Sequence, residues 1–125
     1  MNYIDKEFWV INKKNYDVIE FNKQAALIEQ EYAFKLFREA IKPWREIDNS
    51  CYAALGGDSD CGGWSVVYEN ELWVVFVGER GVRYQPSFFT NVWDALNFVG
   101  IQITNRIDLN AKFYLSRPDT NDLTV

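Results

Sequence analysis

Apolar side chains recur at helical intervals between Leu27 and Ile41, with Phe34 and Phe37 on the same stripe and Ala33 and Ala40 beside it. A period near 3.6 lines such residues along one side of an α-helix. Asn22 suits the N-cap, and residues 23–42 contain no Gly or Pro. Pro43 is expected to end the helix, because its ring removes an N–H and disfavours helical geometry at Lys42. Trp44 is then expected to fold back onto the helix end. Upstream, residues 5–13 read as a short helix capped by Asp5, with Phe8, Val10 and Ile11 on its apolar side. Phe8, Trp9, Val10 and Ile11 also suit a strand, so an extended start is the alternative. Residues 12–16 read as a polar turn.

The pattern then changes period. Residues 51–55 suit a short strand, and residues 56–63 hold four glycines in eight positions, a run that permits sharp turns. Trp64, Val66 and Tyr68 alternate with Ser65 and Val67, the period of a strand. Glu69-Asn70-Glu71 offers a turn, since Asn tolerates left-handed backbone. Residues 72–77 are apolar at every position, which places that strand inside a sheet. Gly78-Glu79-Arg80-Gly81 is a second turn, and residues 82–85 begin a third strand that Pro86 is expected to stop. Thr90 or Asn91 caps a last helix, where Asn91 and Asp94 approximate a capping box. Val92, Leu96, Val99 and Ile103 keep helical spacing across Gly100. Residues 112–115 read as a final strand or a helical turn, and residues 117–125 as a frayed end. Helices, a meander and a helix, in that order, predict an α+β fold: an antiparallel β-sheet meander with helices packed on one face, in a single domain spanning residues 1–125.

Composition bounds the rest. Of 125 residues, 48% are hydrophobic and 17% aromatic, enough for one packed core, so disorder is not expected. A net charge of −5 disfavours nucleic acid, which needs clustered Lys and Arg, and suits a basic protein partner. Simple solubility accounts for mild acidity equally well. The first residues show no basic segment followed by an apolar run, and no apolar stretch approaches the length of a membrane span. A cytoplasmic protein without membrane contact is therefore expected. Cys51 and Cys61 read as a core thiol and a loop thiol rather than a bridge.

The chain has no histidine, which removes the commonest general base and rules out Ser-His-Asp and Cys-His sites. Asp58, Asp60 and Gly62 are spaced like the start of a calcium loop, but Tyr68 stands where such a loop needs its bidentate Glu. The glycines lack the nearby Lys of a phosphate cradle. Neither cysteine has a base or a basic run beside it. No catalytic residue, metal or cofactor is expected. The positive signal is a charge gap: residues 46–79 carry Glu46, Asp48, Asp58, Asp60, Glu69, Glu71 and Glu79, and no Lys or Arg. Acids in successive turns can gather at one end of a sheet, with Tyr52, Trp64, Tyr68 and Trp73 as aromatic anchors. Asp58, Asp60, Tyr68, Glu69 and Glu71 are the candidate partner-binding residues. The plain alternative is that the acids decorate separate loops and the aromatics are core.

An N-terminal helical part followed by Trp64-Ser65-Val66-Val67-Tyr68, a turn, residues 72–77, Glu79-Arg80-Gly81, Phe88-Phe89 and the Asp94-Ala95 helix resembles the small immunity proteins of bacterial polymorphic-toxin and contact-dependent growth-inhibition systems. In several such families a Trp-containing hairpin is followed by Glu-Arg-Gly, an aromatic and an Asp-Ala helix. The resemblance covers about two-thirds of the chain. It implies a non-enzymatic inhibitor, monomeric in a 1:1 complex, that occludes a cognate toxin domain; the acidic turns fit a basic toxin, often a nuclease, though the family implies no particular one. It carries over no toxin-contacting residue; Glu79, Arg80 and Gly81 are read as a structural corner, with a Glu79–Arg80 pair across the turn. Two rival readings remain: a small carboxylate- or metal-dependent enzyme using Asp58 and Asp60, and an adaptor domain whose acidic loops are inert.

Overall fold

The structure, a computed structural model, describes residues 14–117, with side chains described from residue 28. The fold is α+β: helix α1 (Lys14–Ile47), strands β1 (Ala53–Leu55), β2 (Cys61–Glu69), β3 (Leu72–Glu79) and β4 (Val82–Phe89), and helix α2 (Val92–Thr104). The expected helix over residues 5–13 lies outside the described residues.

Helix α1 exceeds its expected bounds at both ends. Residues 14–42 lack Gly and Pro, so nothing interrupts the backbone there. Asn15 and Tyr16 are helical rather than a turn, and Asn22 lies within the helix rather than capping it. Pro43 also lies inside. A proline in a helix interior costs about 3 kcal/mol, through a lost N–H and a clash with the preceding turn. Here the helix runs one turn further, and Trp44 sits in that turn, half-buried against the core, instead of folding back. Burial of an indole offsets much of the proline's cost.

The four strands lie in the order β1-β2-β3-β4. β2, β3 and β4 form the expected antiparallel meander. Both of its turns are two-residue connections with positive φ at each position: Asn70 at 52° and Glu71 at 68°, Arg80 at 51° and Gly81 at 78°. Such turns match the twist of the strands they join. Among the described residues no ion pair joins Glu79 to Arg80, so backbone geometry holds this corner. β1 is shorter than expected and pairs parallel to β2, with Ala53 opposite Trp64. The sheet is therefore mixed. β4 runs through Pro86 to Phe89, where Gln85 takes φ 53° and the register with β3 shifts between Val75 and Val77. An edge strand and a bulge are the two places where a sheet accepts proline, and β4 supplies both.

Both helices pack on one face. Val66, Trp73 and Val75 join Phe34, Phe37 and Ile41 of α1 and Leu96, Val99 and Ile103 of α2 in the main core. On the opposite face Val67, Val74 and Phe76 form a smaller buried cluster. β3 is thus buried on both sides, as its unbroken apolar run requires. Asn91 caps α2, accepting from the Asp94 N–H at 2.9 Å and donating its amide to the Asp94 carboxylate at 2.8 Å.

Residues 112–115 are neither strand nor helical turn. Asn97 of α2 holds this stretch like a one-residue ladder: its amide donates to the Leu115 carbonyl at 2.9 Å, and its oxygen accepts from the Leu115 N–H at 2.6 Å. Phe113 and Leu115 are buried, while Tyr114 between them is exposed. Glu29 of α1 accepts from the Trp93 indole N–H and pairs with Arg117 at 3.3 Å, tying both helices to the end of the described chain. Among the described residues no helix is long and apolar enough to cross a membrane.

Candidate functional site

Two glycines seat the loop between β1 and β2. Gly63 and Gly78 are register partners on β2 and β3. A Cβ on Gly78 would stand 2.5 Å from the Ser59 carbonyl oxygen, and one on Gly63 2.9 Å from the Ser59 hydroxyl. Their missing side chains leave a trough that Ser59 fills. The Ser59 N–H donates to the buried Ser65 hydroxyl at 2.8 Å, and the Ser59 hydroxyl accepts from the Gly63 N–H at 3.2 Å. The glycine-rich loop is therefore folded against the sheet on the face away from the helices.

This seat places Asp58 beside Arg83 of β4. Arg83 grips two carboxylates at once. Its Nε and Nη2 donate to Asp58 Oδ2 and Oδ1, each at 2.9 Å; its Nη1 donates to Glu69 Oε2 at 2.9 Å, and Nη2 also donates to Glu69 Oε1. The guanidinium carbon stands 4.4 Å from the centre of the Phe76 ring beneath it. Stacking on a buried ring and bidentate pairing both use the planar guanidinium, which lysine cannot copy.

The electrostatics follow from this grip. The Arg83 hydrogen bonds hold the Asp58 and Glu69 carboxyls below their ordinary values of 3.8 and 4.5, and the two carboxylates raise the guanidinium in return. A carboxyl depressed in the folded state stabilises the fold above its unfolded pKa, and the gain is lost as pH falls through the folded value. The window therefore lies below about pH 4.5. All three side chains are 35–41% exposed, so solvent screening limits the gain to about 1 kcal/mol at most. Arg83→Met is expected to raise both carboxyl pKa values toward ordinary, read by NMR titration of the side-chain carboxyl carbons. The two proteins should converge in stability once both carboxyls are protonated. Unmoved carboxyl titrations would show that the triad does not persist in solution.

Of the residues expected at a binding surface, Asp58 and Glu69 are brought together, through Arg83. Asp60 and Glu71 are not: Asp60 precedes the start of β2, with its carbonyl accepting from the Arg80 N–H at 3.2 Å, and Glu71 lies in the turn after β2's far end. The acids do not gather at one end of the sheet. Tyr68 lies on the helical face, half-buried with its ring 4.9 Å from that of Trp73, and burial and Glu71 push its hydroxyl pKa up. It packs against Trp73 on the face opposite Glu69.

Two residues of the site were not expected from the sequence. Arg83 lies just beyond the acidic stretch and neutralises part of it. Phe88, opposite Val74, shares a face with Arg83 opposite Gly78 and Glu69 opposite Leu72, and is 61% exposed. Only the strand register brings these three together. The Asp58 carboxylate is engaged by Arg83, and among the described residues no group of three His, Cys, Asp or Glu side chains converges as a metal would need. Cys51 is the expected core thiol, buried and with its pKa pushed up by desolvation; Cys61 is exposed but is the first residue of β2 rather than part of the loop, and both are free. Comparison of the chain with protein-family models, with curated proteins and with solved structures finds no match in any of the three.

Proposed function

We propose that this chain is an immunity protein that binds a basic toxin domain and blocks its activity by occlusion. The surface is the sheet face carrying Asp58, Glu69, Arg83 and Phe88, with Asp60 and Glu71 on its rim. The observation that supports this reading is an exposed aromatic, Phe88, on the same face as a cluster of two carboxylates and one guanidinium. The cluster keeps one net negative charge, and each carboxylate retains lone pairs beyond those facing Arg83. Aromatic anchors beside charged groups supply most of the energy in many interfaces, while charge complementarity sets the rate of encounter. The resemblance to bacterial immunity proteins, over about two-thirds of the chain, supplies the partner class, and the same reading makes the protein a cytoplasmic monomer in a 1:1 complex.

The test is co-expression with the product of the neighbouring gene, scored by growth and by binding kinetics. Phe88→Ser is expected to weaken binding at least about ten-fold while moving stability by no more than about 0.5 kcal/mol. Asp60→Lys and Glu71→Lys are expected to slow association, and added salt to slow it further with little change in dissociation. Asp58→Lys is a poorer probe, because it sets a new cation against Arg83. If the protein neither protects cells nor binds the neighbouring product, the immunity reading fails. If it binds and Phe88→Ser binds equally well, the proposed face is wrong.

A further inference from the structure

A groove of about 510 Å³ runs between the C-terminal half of α1 and β1. Tyr52, Ala53 and Leu55 give it accessible apolar surface over the buried Phe37 and Ile41, and Arg38, Lys42 and Arg45 line it with positive charge. The three cations recur at intervals of four and three residues, so they share one side of the helix. Arg45 is held over the Tyr52 ring at 5.3 Å. Glu46 is the acid among the lining residues, so the groove is cationic in a chain of net charge −5.

The other wall is an open sheet edge. β1 is the outermost strand and pairs with β2 alone. The Gly56 N–H donates to the Val66 carbonyl at 2.7 Å, so Gly56 faces β2. Alternation along the strand then turns Ala54 toward β2 and directs the backbone N–H and C=O of Ala53 and Leu55 outward. Among the described residues no hydrogen bond meets these outward groups. Ala53 and Leu55 are register partners of Trp64 and Val66, so their side chains lie on the helical face, and Ala53 also lines the groove.

We propose that this groove docks an extended acidic segment of a partner protein, which adds to the open edge of β1 as a further strand. Alternating donors and acceptors match a peptide backbone, whereas a phosphodiester has no donor to offer the outward carbonyls. A free phosphate would leave the apolar lining uncovered. Glu at alternate positions of the added strand would lay its methylenes on Tyr52, Ala53 and Leu55 and carry its carboxylates to the Arg38, Lys42 and Arg45 rim. Main-chain bonds give affinity in such strand addition, and the alternate side chains give selectivity. The proposal does not depend on the Asp58–Glu69 face.

The experiment uses a labelled decapeptide, (Glu-Val)5, with the intact protein. Anisotropy is expected to give saturable binding with a Kd below about 1 mM, the range of weak peptide docking. Amide NMR signals of Ala53 and Leu55 should shift and become protected from exchange. N-methylation of one alternate set of peptide amides should abolish binding, and methylation of the other set should leave it intact. Arg38→Glu and Lys42→Glu should each weaken binding about five-fold or more, and (Lys-Val)5 should not bind. Asp60→Lys should leave (Glu-Val)5 binding unchanged. The peptide variants test the site without altering the protein, so a variant that folds poorly does not leave the question open. Absence of saturable binding, indifference to both methylated sets, or tighter binding of a dT10 oligonucleotide or inorganic phosphate without change at Ala53 and Leu55 would overturn the proposal.

Discussion

Phe76→Ala is expected to lower the free energy of unfolding by about 3–5 kcal/mol, measured by urea denaturation. Phe76 is fully buried, in a cluster that it shares with Val67 and Val74. Removing the ring loses its transfer free energy and leaves a cavity that the neighbouring strands can close only partly. The ring also lies under the Arg83 guanidinium, so its loss should loosen the grip on Asp58 and Glu69. The same variant should therefore raise both carboxyl pKa values toward ordinary, an effect that a cavity far from the site would not have. A loss below about 1 kcal/mol would show that the cluster on this face is not core.

Gly100→Ala is expected to destabilise by about 2–4 kcal/mol, although alanine in place of helical glycine normally stabilises by about 1 kcal/mol. The added Cβ would overlap the Phe113 ring. The ring cannot stay, and Phe113 is one of the two buried side chains fastening residues 113–115 to α2. The Gly100→Ala/Phe113→Ala double variant should cost clearly less than the sum of the single changes, because either change alone already forfeits the same contact. Additive losses would mean that Phe113 does not rest on Gly100. Stabilisation by Gly100→Ala alone would mean the same.

The meander was legible because its signals are local. Two-residue turns between β-rich runs fix pairing without long-range information, and the unbroken apolar run of β3 states that both its faces are covered. The capped helix α2 was legible for the same reason. Proline misled twice. Its penalty is local, but at Pro43 the partial burial of Trp44 offsets much of it, and Pro86 sits where an edge bulge asks for no N–H. β1 escaped full prediction because three residues paired parallel across a loop carry no periodicity of their own. The acidic stretch was visible as a charge gap, yet its meaning was set by Arg83, four residues past the gap's last acid. Sequence proximity assigns charges to loops; only register decides which of them meet a guanidinium. Alternation tells which residues share a face but not which face carries the helices, so only the structure puts Tyr68 on the helical side.

The bulge in β4 has a colloidal consequence. A long outer strand with unpaired backbone groups is a template on which a second molecule can stack, the usual route from folded sheets to aggregates. β4 has the length for it, and its exposed Val82, Tyr84 and Phe88 have the stickiness. Gln85 at positive φ bends the strand, and Pro86 supplies no N–H, so the register of any incoming strand is broken near its middle. A regularised edge, with Gln85 and Pro86 replaced by Thr and Val, would present eight continuous positions and should precipitate at concentrations where the parent stays dispersed. The proline is thus a gatekeeper of solubility as much as a detail of strand geometry.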